Sequence, residues 1–302
     1  MGAKVAAVLV NWKNWPDTLA AVASLEKQTL LPQIVVVDNG SPNDSEVQLR
    51  QQLARSVTVL QSGQNLGWAG GCNLGIHHAL ERGAEWIWLI NNDAVADPLA
   101  LEKLVACCET DAQVAACGSL IYELDAPQVI WFAGGKIDLW RGTTSHVGIG
   151  QQDHGQFPEP IATEYLTGCS LLIRRSALEQ VGFLSENYFL YYEDPDWCLK
   201  ARSLGWRVML VPDSKVWHRQ GNSAREAGGL SPTHAYYDTR SNLYFIERHC
   251  GALQRWSAYG WFLLRKCARA LTWLGKAEEK VLLPATIAGI RDYLRRHTGV
   301  RA

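Results

Sequence analysis

The chain has 302 residues, a formal net charge of −1 and 20% charged residues. A chain of this length can form one large domain with an appendage, or two domains. Its balanced charge argues against a nucleic-acid-binding protein built on a basic surface, so we expect no nucleic-acid partner.

Three further features narrow the class of protein. The eight cysteines are scattered, without the paired CxxC spacing of zinc or redox motifs, and we expect reduced thiols of a cytosolic protein. The apolar run near the N-terminus ends in Asn11 and Trp12 rather than in a small-residue cleavage site, so we expect no signal peptide. No stretch of about 18 apolar residues is free of charge, which predicts no membrane span.

The N-terminal part alternates between short apolar runs and helical patterns. Val5–Val10 predicts a strand that stops at Asn11, and a helix follows from Pro16. Ile34–Val37 predicts a second strand that ends at Asp38, and another helix comes after it. This alternation is typical of a parallel α/β sheet, here with a polar residue closing each strand.

A glycine-rich turn follows the third predicted strand, Val57–Leu60. It runs from Asn65 to Asn73 and opens a helix that continues to about Leu80. Bare backbone amides at a helix N-terminus can hold an anion, whereas close packing of the helix on the sheet would also explain the glycines. The spacing is not the GxGxxG fingerprint, and the turn follows the third strand rather than the first, which argues against a dehydrogenase.

The apolar run Trp86–Ile90 is short and rich in β-formers, which predicts a strand buried on both faces. Asn91, Asn92 and Asp93 follow it directly. Ligands bind at the carboxyl ends of strands in an open parallel sheet. Asp93 is therefore a candidate ligand for a metal or for a phosphate-side group, although Asn and Asp are also ordinary turn residues.

The middle of the chain combines regular elements with a less regular insertion. A predicted strand at Val114–Tyr122 precedes residues 123–164, for which we expect an insertion with short antiparallel strands. Tyr165–Ile173 predicts a further strand with Gly168 near its middle, where a ligand or another backbone can approach closely.

An aromatic run at 188–192 leads into the acids Glu193, Asp194 and Asp196, and a helix begins near Pro195. The helix dipole favours acids in a first turn and can by itself explain Asp196. Asp194 lies next to the aromatic run, and if it faces a cleft it can act as a general base for a hydroxyl.

The C-terminal part is predicted to be helical from about Pro232. Before it, Arg207–Val211 is the last predicted strand of the sheet region, and Val216, Trp217 and His218 close that region. His218 can complete a metal site or simply be hydrogen-bonded. Arg240 can bind a diphosphate or lie on a solvated face. Trp256–Leu274 mixes Trp and Leu with basic residues, which suits a helix on an anionic membrane as well as a packed helix.

Seven motifs in order carry a resemblance that none of them carries alone: VLVNW, VVVDNGS, NLGWAGGCNLGI, WLINNDA, YLTGCSLLIRR, FLYYEDPDWCLKARSLGW and VWH. Over about residues 4–245 their succession resembles the family 2 glycosyltransferases, in particular the bacterial rhamnosyltransferase-like branch. The resemblance implies an α/β fold class: a GT-A, Rossmann-like, mostly parallel sheet flanked by helices, with a C-terminal helical appendage. It also implies a nucleotide-sugar donor, a divalent cation (Mg²⁺ or Mn²⁺) and inversion at the anomeric carbon.

The same resemblance implies roles for the matching residues. Glu193 and Asp194 would form the catalytic pair with Asp194 as base, Asp93 and His218 would hold the cation, and the acceptor would lie beside Gly168. The expected donor-binding residues are Asn11, Asp38, Asn65, Gly67, Asn73, Asn91, Tyr237, Arg240 and Asn242. In WLINNDA, amides replace two acids of the family's usual triplet, which leaves Asp93 as the main carboxylate.

The expected function is transfer of L-rhamnose from dTDP-rhamnose to a hydroxyl of a cell-surface glycan or lipid-linked acceptor. The enzyme would be cytoplasmic and peripherally associated with the inner membrane. Residues 1–231 would form the nucleotide-sugar-binding and catalytic domain, and residues 232–302 a helical region that reaches the membrane. Two alternatives stay open: a UDP-hexose-dependent transferase of the same fold, and a nucleotide-sugar-binding protein that has lost catalysis.

Overall fold

The short apolar runs form strands of one large sheet in the computed structural model of the chain, which describes residues 4–219, 225–226, 229–274 and 279–301. The strands are β1 (Val5–Asn11), β2 (Gln33–Asp38), β3 (Thr58–Gln61), β4 (Trp86–Ile90), β5 (Ala94–Ala96), β6 (Val114–Glu123), β7 (Ala126–Phe132), β8 (Gly135–Asp138), β9 (Thr143–His146), β10 (Ile161–Ala162), β11 (Ser170–Arg174), β12 (Arg207–His218), β13 (Arg225–Glu226) and β14 (Gly229–Leu230). The helices are α1 (Trp15–Leu25), α2 (Ser45–Gln52), α3 (Gly67–Glu81), α4 (Ala100–Glu109), α5 (Arg175–Val181), α6 (Glu193–Ser203), α7 (Pro232–His249), α8 (Ala252–Leu274) and α9 (Leu282–Leu294).

The large sheet has the strand order β10-β12-β6-β11-β4-β1-β2-β3. Outside this order, β5 pairs with β12 and β7 pairs with β6. Strands β4, β1, β2 and β3 are parallel neighbours, as are β6 and β12. Strand β11 lies antiparallel between β4 and β6 and joins the two parallel parts. The expected α/β architecture with flanking helices is confirmed.

The register of the sheet brings the polar strand ends together. Asn11 at the end of β1 pairs with Asp38 at the end of β2, which in turn pairs with Gln61 at the end of β3. On the other side, His218 at the end of β12 pairs with the start of β5, directly after Asp93. Because these strand ends share one edge of the sheet, the candidate ligands collect there.

Helix α3 packs unusually closely on the sheet. A Cβ atom on Gly75 would lie 2.4 Å from Cγ1 of Val8, and one on Gly71 would lie 2.8 Å from Cγ1 of Val10. Glycine is required at such a contact because any side chain would push the helix away from the strand. Close packing therefore accounts for these two glycines of the glycine-rich motif.

The region around β11 contains one confirmed and one wrong prediction. The insertion at 123–164 does hold short antiparallel pairs, β7 with β6 and β8 with β9. The strand predicted at Tyr165–Ile173, however, begins only at Ser170. The Ser170 backbone N–H donates to the carbonyl of Thr167 at 3.2 Å and closes a turn, so Gly168 lies before the strand rather than within it.

The C-terminal helices pack on the aromatic run that precedes α6. The ring of Phe189 stacks on Tyr237 of α7 at 4.8 Å, and Leu282 of α9 belongs to the same apolar cluster. Helix α8 contributes Phe262 to a second cluster with Ile246 of α7. In the described part of the chain, no helix is long and apolar enough to cross a membrane.

Candidate active site

A buried carboxylate stands at the end of β2. Asp38 accepts hydrogen bonds from the Asn11 amide at 2.8 Å, the Gln61 amide at 3.0 Å and the Ser41 backbone N–H at 3.0 Å. Asn11 is fixed in turn, because its amide oxygen accepts a bond from the Thr18 hydroxyl at 2.9 Å. These bonds hold Asn11 and Asp38 side by side at the sheet edge.

Hydrogen bonds to side-chain amides hold the start of the glycine-rich turn in place. The amide oxygen of Asn65 accepts from the Gly67 backbone N–H at 2.9 Å and from the Asn39 amide at 3.2 Å. The next backbone N–H, that of Trp68, donates to the carbonyl of Phe189 at 2.8 Å. This hydrogen bond joins the glycine-rich turn to the aromatic run at 188–192.

The Asn73 side chain is buried within the protein. Its amide nitrogen donates to the carbonyl of Leu184 at 2.9 Å and to Oε1 of Glu186 at 2.8 Å. Its amide oxygen accepts from the Leu184 backbone N–H at 3.2 Å. Both ends of the buried amide are occupied within the protein, so this placement gives no support to the predicted contact with a nucleotide.

Asp93 and His218 meet where β4 and β12 end. Nε2 of His218 lies 3.1 Å from Oδ1 of Asp93 and 3.3 Å from the amide nitrogen of Asn91. Asn92 turns away and donates to the Thr18 hydroxyl at 3.0 Å. Of the three polar residues after β4, Asn91 and Asp93 therefore face this site, and Asn92 serves the packing of α1.

The fit of a divalent cation to these residues is partial. The described ranges hold no group of three or more His, Cys, Asp and Glu side chains placed to bind a metal. Asp93 and His218 supply one oxygen and one nitrogen ligand. Mg²⁺ is usually bound by one or two carboxylates together with substrate phosphates and water. The pair therefore fits a cation that is shared with a diphosphate, not one held by the protein alone.

A cluster of rings packs against His218. The Trp131 ring lies 4.6 Å from the His218 ring and 4.7 Å from the His146 ring, and His146 lies 6.3 Å from Tyr165. Burial lowers the pKa of His146 to about 4, so the imidazole is neutral near pH 7. The sequence analysis predicted the insertion at 123–164 but did not single out Trp131 or His146 within it, and it named Tyr165 only as the start of a strand; the position of the insertion was the available signal.

Asp194 lies in the first turn of α6, where the turn before β11 holds its carboxylate. The Gly168 backbone N–H donates to Oδ2 at 3.0 Å, and the Thr167 hydroxyl also donates. Burial raises the pKa of Asp194 to about 6, and these hydrogen bonds oppose the rise. A Cβ atom on Gly168 would lie 2.0 Å from the Trp68 ring, so glycine is needed for the backbone to approach this closely.

Glu193 has a different environment from its neighbour. It is buried, and its Oε2 has no hydrogen-bond partner within the described part of the chain. Burial, and after it the charge of Asp194, raise the pKa of Glu193 well above its ordinary value. Two adjacent carboxyls with raised pKa values favour a state in which one of them is protonated.

Asp196 is more than a first-turn acid that complements the helix dipole. Its carboxylate accepts from the Tyr188 hydroxyl at 2.9 Å and lies 2.7 Å from Nζ of Lys200 and 2.6 Å from Nε2 of His249. Burial alone would raise the pKa of Asp196, but the hydrogen bond with His249 and the charge of Lys200 outweigh it and lower the pKa. Asp196 thus ties α6 to α7.

The turn before β11 also connects the two carboxylates that the resemblance singles out. The Asn91 backbone N–H donates to the carbonyl of Cys169 at 3.1 Å, and the neighbouring Gly168 holds Asp194. Burial raises the pKa of the Cys169 thiol, and the charges of both Asp93 and Asp194 raise it further. Asp93 and Asp194 therefore lie in one region of the protein.

Three predicted donor-binding residues of α7 point into the interior. Arg240 is 0% exposed and donates to the Tyr236 hydroxyl at 3.2 Å and to the carbonyl of Tyr188 at 3.3 Å. Asn242 donates to a backbone carbonyl at 2.6 Å, and Tyr237 stacks on Phe189. Nε of Arg240 has no hydrogen-bond partner among the described residues, so the role of these three residues as diphosphate ligands stays a prediction.

Comparisons with known proteins agree with this geometry. The model of the family described as Glycosyl transferase family 2 matches residues 7–182. Galactofuranosyltransferase GlfT1 of Mycobacterium tuberculosis is 30% identical over 87% of this chain and 90% of its own length. An N-acetylglucosaminyl-diphospho-decaprenol L-rhamnosyltransferase of the same species is 29% identical over 85% and 90%. The dTDP-rhamnosyl transferase RfbF of Shigella flexneri is 26% identical over 82% of each chain.

Solved structures show the same fold. A mannosyltransferase of Pyrobaculum calidifontis in complex with GDP-Man and Mn²⁺ matches 98% of this chain and 76% of its own, with a TM-score of 0.59 and 15% identity. GalNAc-T7 with UDP, GalNAc and Mn²⁺ matches 89% of this chain with a TM-score of 0.59 and 17% identity, and this chain spans 57% of that longer protein. The family match covers more than half of the chain. The strand order of the large sheet agrees with the expected α/β fold. The chain belongs to glycosyl transferase family 2 and is a nucleotide-sugar glycosyltransferase with a GT-A fold.

Proposed function

We propose that the enzyme transfers a sugar from a nucleoside diphosphate to an acceptor hydroxyl with inversion, and that Asp194 is the catalytic base. The observation that carries this proposal is the environment of Asp194, which is hydrogen-bonded to Gly168 and has a pKa raised to about 6. Such a carboxylate is mostly ionised at pH 7 and is more basic than an exposed aspartate. Both properties suit a group that must accept a proton.

The reaction is a single displacement. The acceptor oxygen attacks the anomeric carbon and its proton passes to Asp194, while the bond from that carbon to the diphosphate oxygen breaks. Attack from the side opposite the leaving group inverts the anomeric configuration without a covalent enzyme intermediate. A base in this role contributes about 10²–10⁴-fold to the rate.

The donor is proposed to lie along the edge from β2 to β4. Asp38, whose carboxylate is held by Asn11, is proposed to contact the nucleoside, and Asn39 joins the turn at Asn65–Gly67 to the same strand end. Two relatives are named as rhamnosyl transferases, one of them specifically for dTDP-rhamnose, which supports dTDP-rhamnose as the donor. The galactofuranosyltransferase name of another relative keeps a UDP-hexose as the second candidate.

A divalent cation, Mg²⁺ or Mn²⁺, is proposed to be held by Asp93 and His218, with Asn91 beside them. When bound, it would neutralise the charge that develops on the leaving diphosphate. The chain's own contribution is to hold the carboxylate and imidazole within 3.1 Å of each other under the Trp131 ring.

The acceptor is proposed to be a cell-surface glycan or lipid-linked saccharide that reaches Asp194 beside Gly168. One relative's name includes a diphospho-decaprenol acceptor, which supports the lipid-linked class. We place the reaction on the cytoplasmic side of the inner membrane, with residues 232–302 as the membrane-associating region. The net basic composition of this region supports the placement.

A donor screen tests the proposed chemistry. Hydrolysis of dTDP-rhamnose, UDP-galactofuranose, UDP-glucose and GDP-mannose is measured with Mg²⁺, with Mn²⁺ and with EDTA. We expect one thymidine- or uridine-linked donor to be cleaved fastest, in a cation-dependent manner. Absence of turnover for every donor, each tested with glycan and lipid-linked acceptors, would instead favour a binding protein without catalysis.

A further inference from the structure

Helix α8 exposes its apolar side. Among its exposed positions between 252 and 273, the one charged residue within the described part of the chain is Arg269. The large apolar residues on this side are strongly exposed: Leu253 by 77%, Trp256 by 78%, Leu264 by 62% and Leu271 by 74%. Their helical spacing places them along one side of the helix. A surface helix of a soluble protein normally has the reverse arrangement.

Polar contacts fix this orientation. Nζ of Lys266 is buried and lies 3.1 Å from Asp238 and 2.7 Å from the hydroxyl of Thr239, both on α7. Arg265 donates to the amide oxygen of Asn242 on α7 at 2.9 Å. Rotating α8 to bury its apolar side would break the buried pair and leave charges without partners, which is strongly unfavourable. The apolar side is therefore held outward.

The tip of the β8–β9 hairpin extends the same surface. Trp140 is 56% exposed, and the guanidinium of Arg141 lies 4.9 Å from the ring centre of Trp261 on α8. The two elements border a shallow groove of about 590 Å³ that is also lined by Trp256 and Leu264. Tryptophan beside arginine and leucine is typical of a membrane–water interface.

Charge distinguishes a lipid surface from a second copy of the chain. Residues 251–302 contain ten Lys and Arg but three Asp and Glu, although the whole chain has a formal net charge of −1. Two such basic regions would repel each other across a symmetric interface. An anionic bilayer would attract them, since each basic residue near its surface contributes favourably.

We propose that the outward side of α8 together with the hairpin tip, formed by Trp140, Leu253, Trp256, Trp261, Leu264 and Leu271, docks on an anionic lipid bilayer. We call these six residues the α8 docking surface. This inference rests on the proposed function because that function includes an acceptor located at the membrane. It adds which face of the C-terminal region contacts the membrane. The helix would lie in the plane of the bilayer surface, with its apolar side among the acyl chains.

Vesicle flotation with the full chain tests the α8 docking surface. The wild type, a Trp256→Gln/Leu264→Gln/Leu271→Gln variant and a control Leu31→Gln/Val47→Gln variant are mixed with vesicles of phosphatidylcholine, with or without one quarter phosphatidylglycerol. The control removes two apolar side chains that are 68% and 53% exposed but lie far along the chain from α8. We expect the wild type and the control to float with the anionic vesicles. The triple variant should bind at least about tenfold more weakly, because full burial of even one Leu side chain contributes about a factor of ten or more.

Parallel measurements separate the outcomes. Thermal unfolding should be unchanged in the triple variant because the replaced side chains are exposed, and donor hydrolysis without vesicles should also be unchanged. Loss of flotation together with retained hydrolysis supports the proposal; retained flotation in the triple variant, or no flotation of the wild type, overturns it. A wild-type dimer that the triple variant dissociates would assign the surface to a second copy instead. If no variant hydrolyses any donor but flotation follows the expected pattern, the proposed function fails and the docking surface stands.

Discussion

At the scale of single residues, the chemistry of Asp194 is set by its neighbours. Burial raises its pKa, while the Gly168 backbone N–H and the Thr167 hydroxyl stabilise the ionised form and limit the rise to about 6. Glu193 beside it is driven further towards the protonated form, since its Oε2 is buried and no described residue donates to it. One acid of the pair is thereby kept available as a base near neutral pH.

This balance predicts the pH dependence of the reaction. The base must be ionised to accept the acceptor proton, so the maximal rate should fall as the pH drops through about 6 rather than near the ordinary aspartate value of 3.8. Thr167→Val removes a hydrogen bond that lowers the pKa, and it should therefore move the inflection to higher pH. The measurement is kcat from pH 4.5 to 8.5 at saturating donor and acceptor. A profile that is flat across this range, or one that Thr167→Val leaves in place, would contradict the assignment.

Sequence motifs predicted the positions of polar residues that directly follow a strand. Asp38 and Asp93 follow buried apolar runs, and that local pattern was enough to place them at the sheet edge. The burial of Arg240 was not predictable, because a helical sequence does not reveal which side meets a neighbouring segment: its guanidinium donates to the carbonyl of Tyr188 in the aromatic run. Trp131 and His146 were missed because pairing within the insertion brings them over His218, and such pairing is non-local.

At the scale of elements, the aromatic run before α6 is held in an unusual backbone conformation. Phe189, Tyr191 and Tyr192 have positive φ angles of 64°, 66° and 74°. Each such conformation costs about 1–3 kcal/mol for a residue other than glycine, so surrounding contacts must maintain it. The Ser241 hydroxyl contributes, because its one proton lies within reach of the carbonyls of Tyr188 at 3.1 Å and Leu190 at 2.8 Å. The run ends at Tyr192, two residues before the proposed base.

Ser241 is therefore expected to be a positioning residue. Ser241→Ala removes this donor from the carbonyl of Leu190 and leaves the carbonyl of Tyr188 with Arg240 alone, and relaxation of the run should displace Asp194. We expect kcat to fall about tenfold with little change in the donor KM, and the free energy of unfolding to fall by about 1–2 kcal/mol. Ser203→Ala is the matched control, because the Ser203 hydroxyl bonds one carbonyl within α6, that of Lys200, and does not touch the run. Equal kcat in both variants would show that the run does not depend on Ser241.

The Asp196 network should be the main polar tie between α6 and α7. Asp196→Asn removes a fully buried charge and leaves Lys200 and His249 without their partner, which should lower the free energy of unfolding by about 3–5 kcal/mol. Because the pKa of Asp196 is lowered in the folded state, this stability is present above the unfolded pKa and is lost as the pH falls through the folded one.

The comparison is with Asp111→Asn, which breaks an ion pair of the same 2.7 Å length with Arg207 on the exposed surface. That variant should lose at most about 1 kcal/mol. Urea unfolding of both variants at pH 7 measures the difference. Similar losses for Asp196→Asn and Asp111→Asn would mean that the buried network adds nothing to stability.

At the scale of the whole molecule, the sequence was informative where structure is local. Alternating apolar runs and helical patterns predicted the parallel unit of β1, β2, β3 and β4, since each of these elements has its own periodicity. The antiparallel placement of β11 between β4 and β6 was not predictable, because strand pairing joins segments far apart in the chain. The same holds for the turn at Gly168, which depends on the Trp68 ring and on Asp194.

The central claim is that Asp93 and Asp194 serve one cleft with separate tasks, the first on the donor side and the second on the acceptor. The most direct measurement is donor affinity by calorimetry with Mn²⁺, combined with single-turnover transfer, for Asp93→Asn and Asp194→Asn. We expect Asp194→Asn to bind donor as the wild type does while transfer slows by about 10²–10⁴-fold. Asp93→Asn should lose cation-dependent donor affinity. Transfer at the wild-type rate by Asp194→Asn, or unchanged donor affinity in Asp93→Asn, would contradict the account.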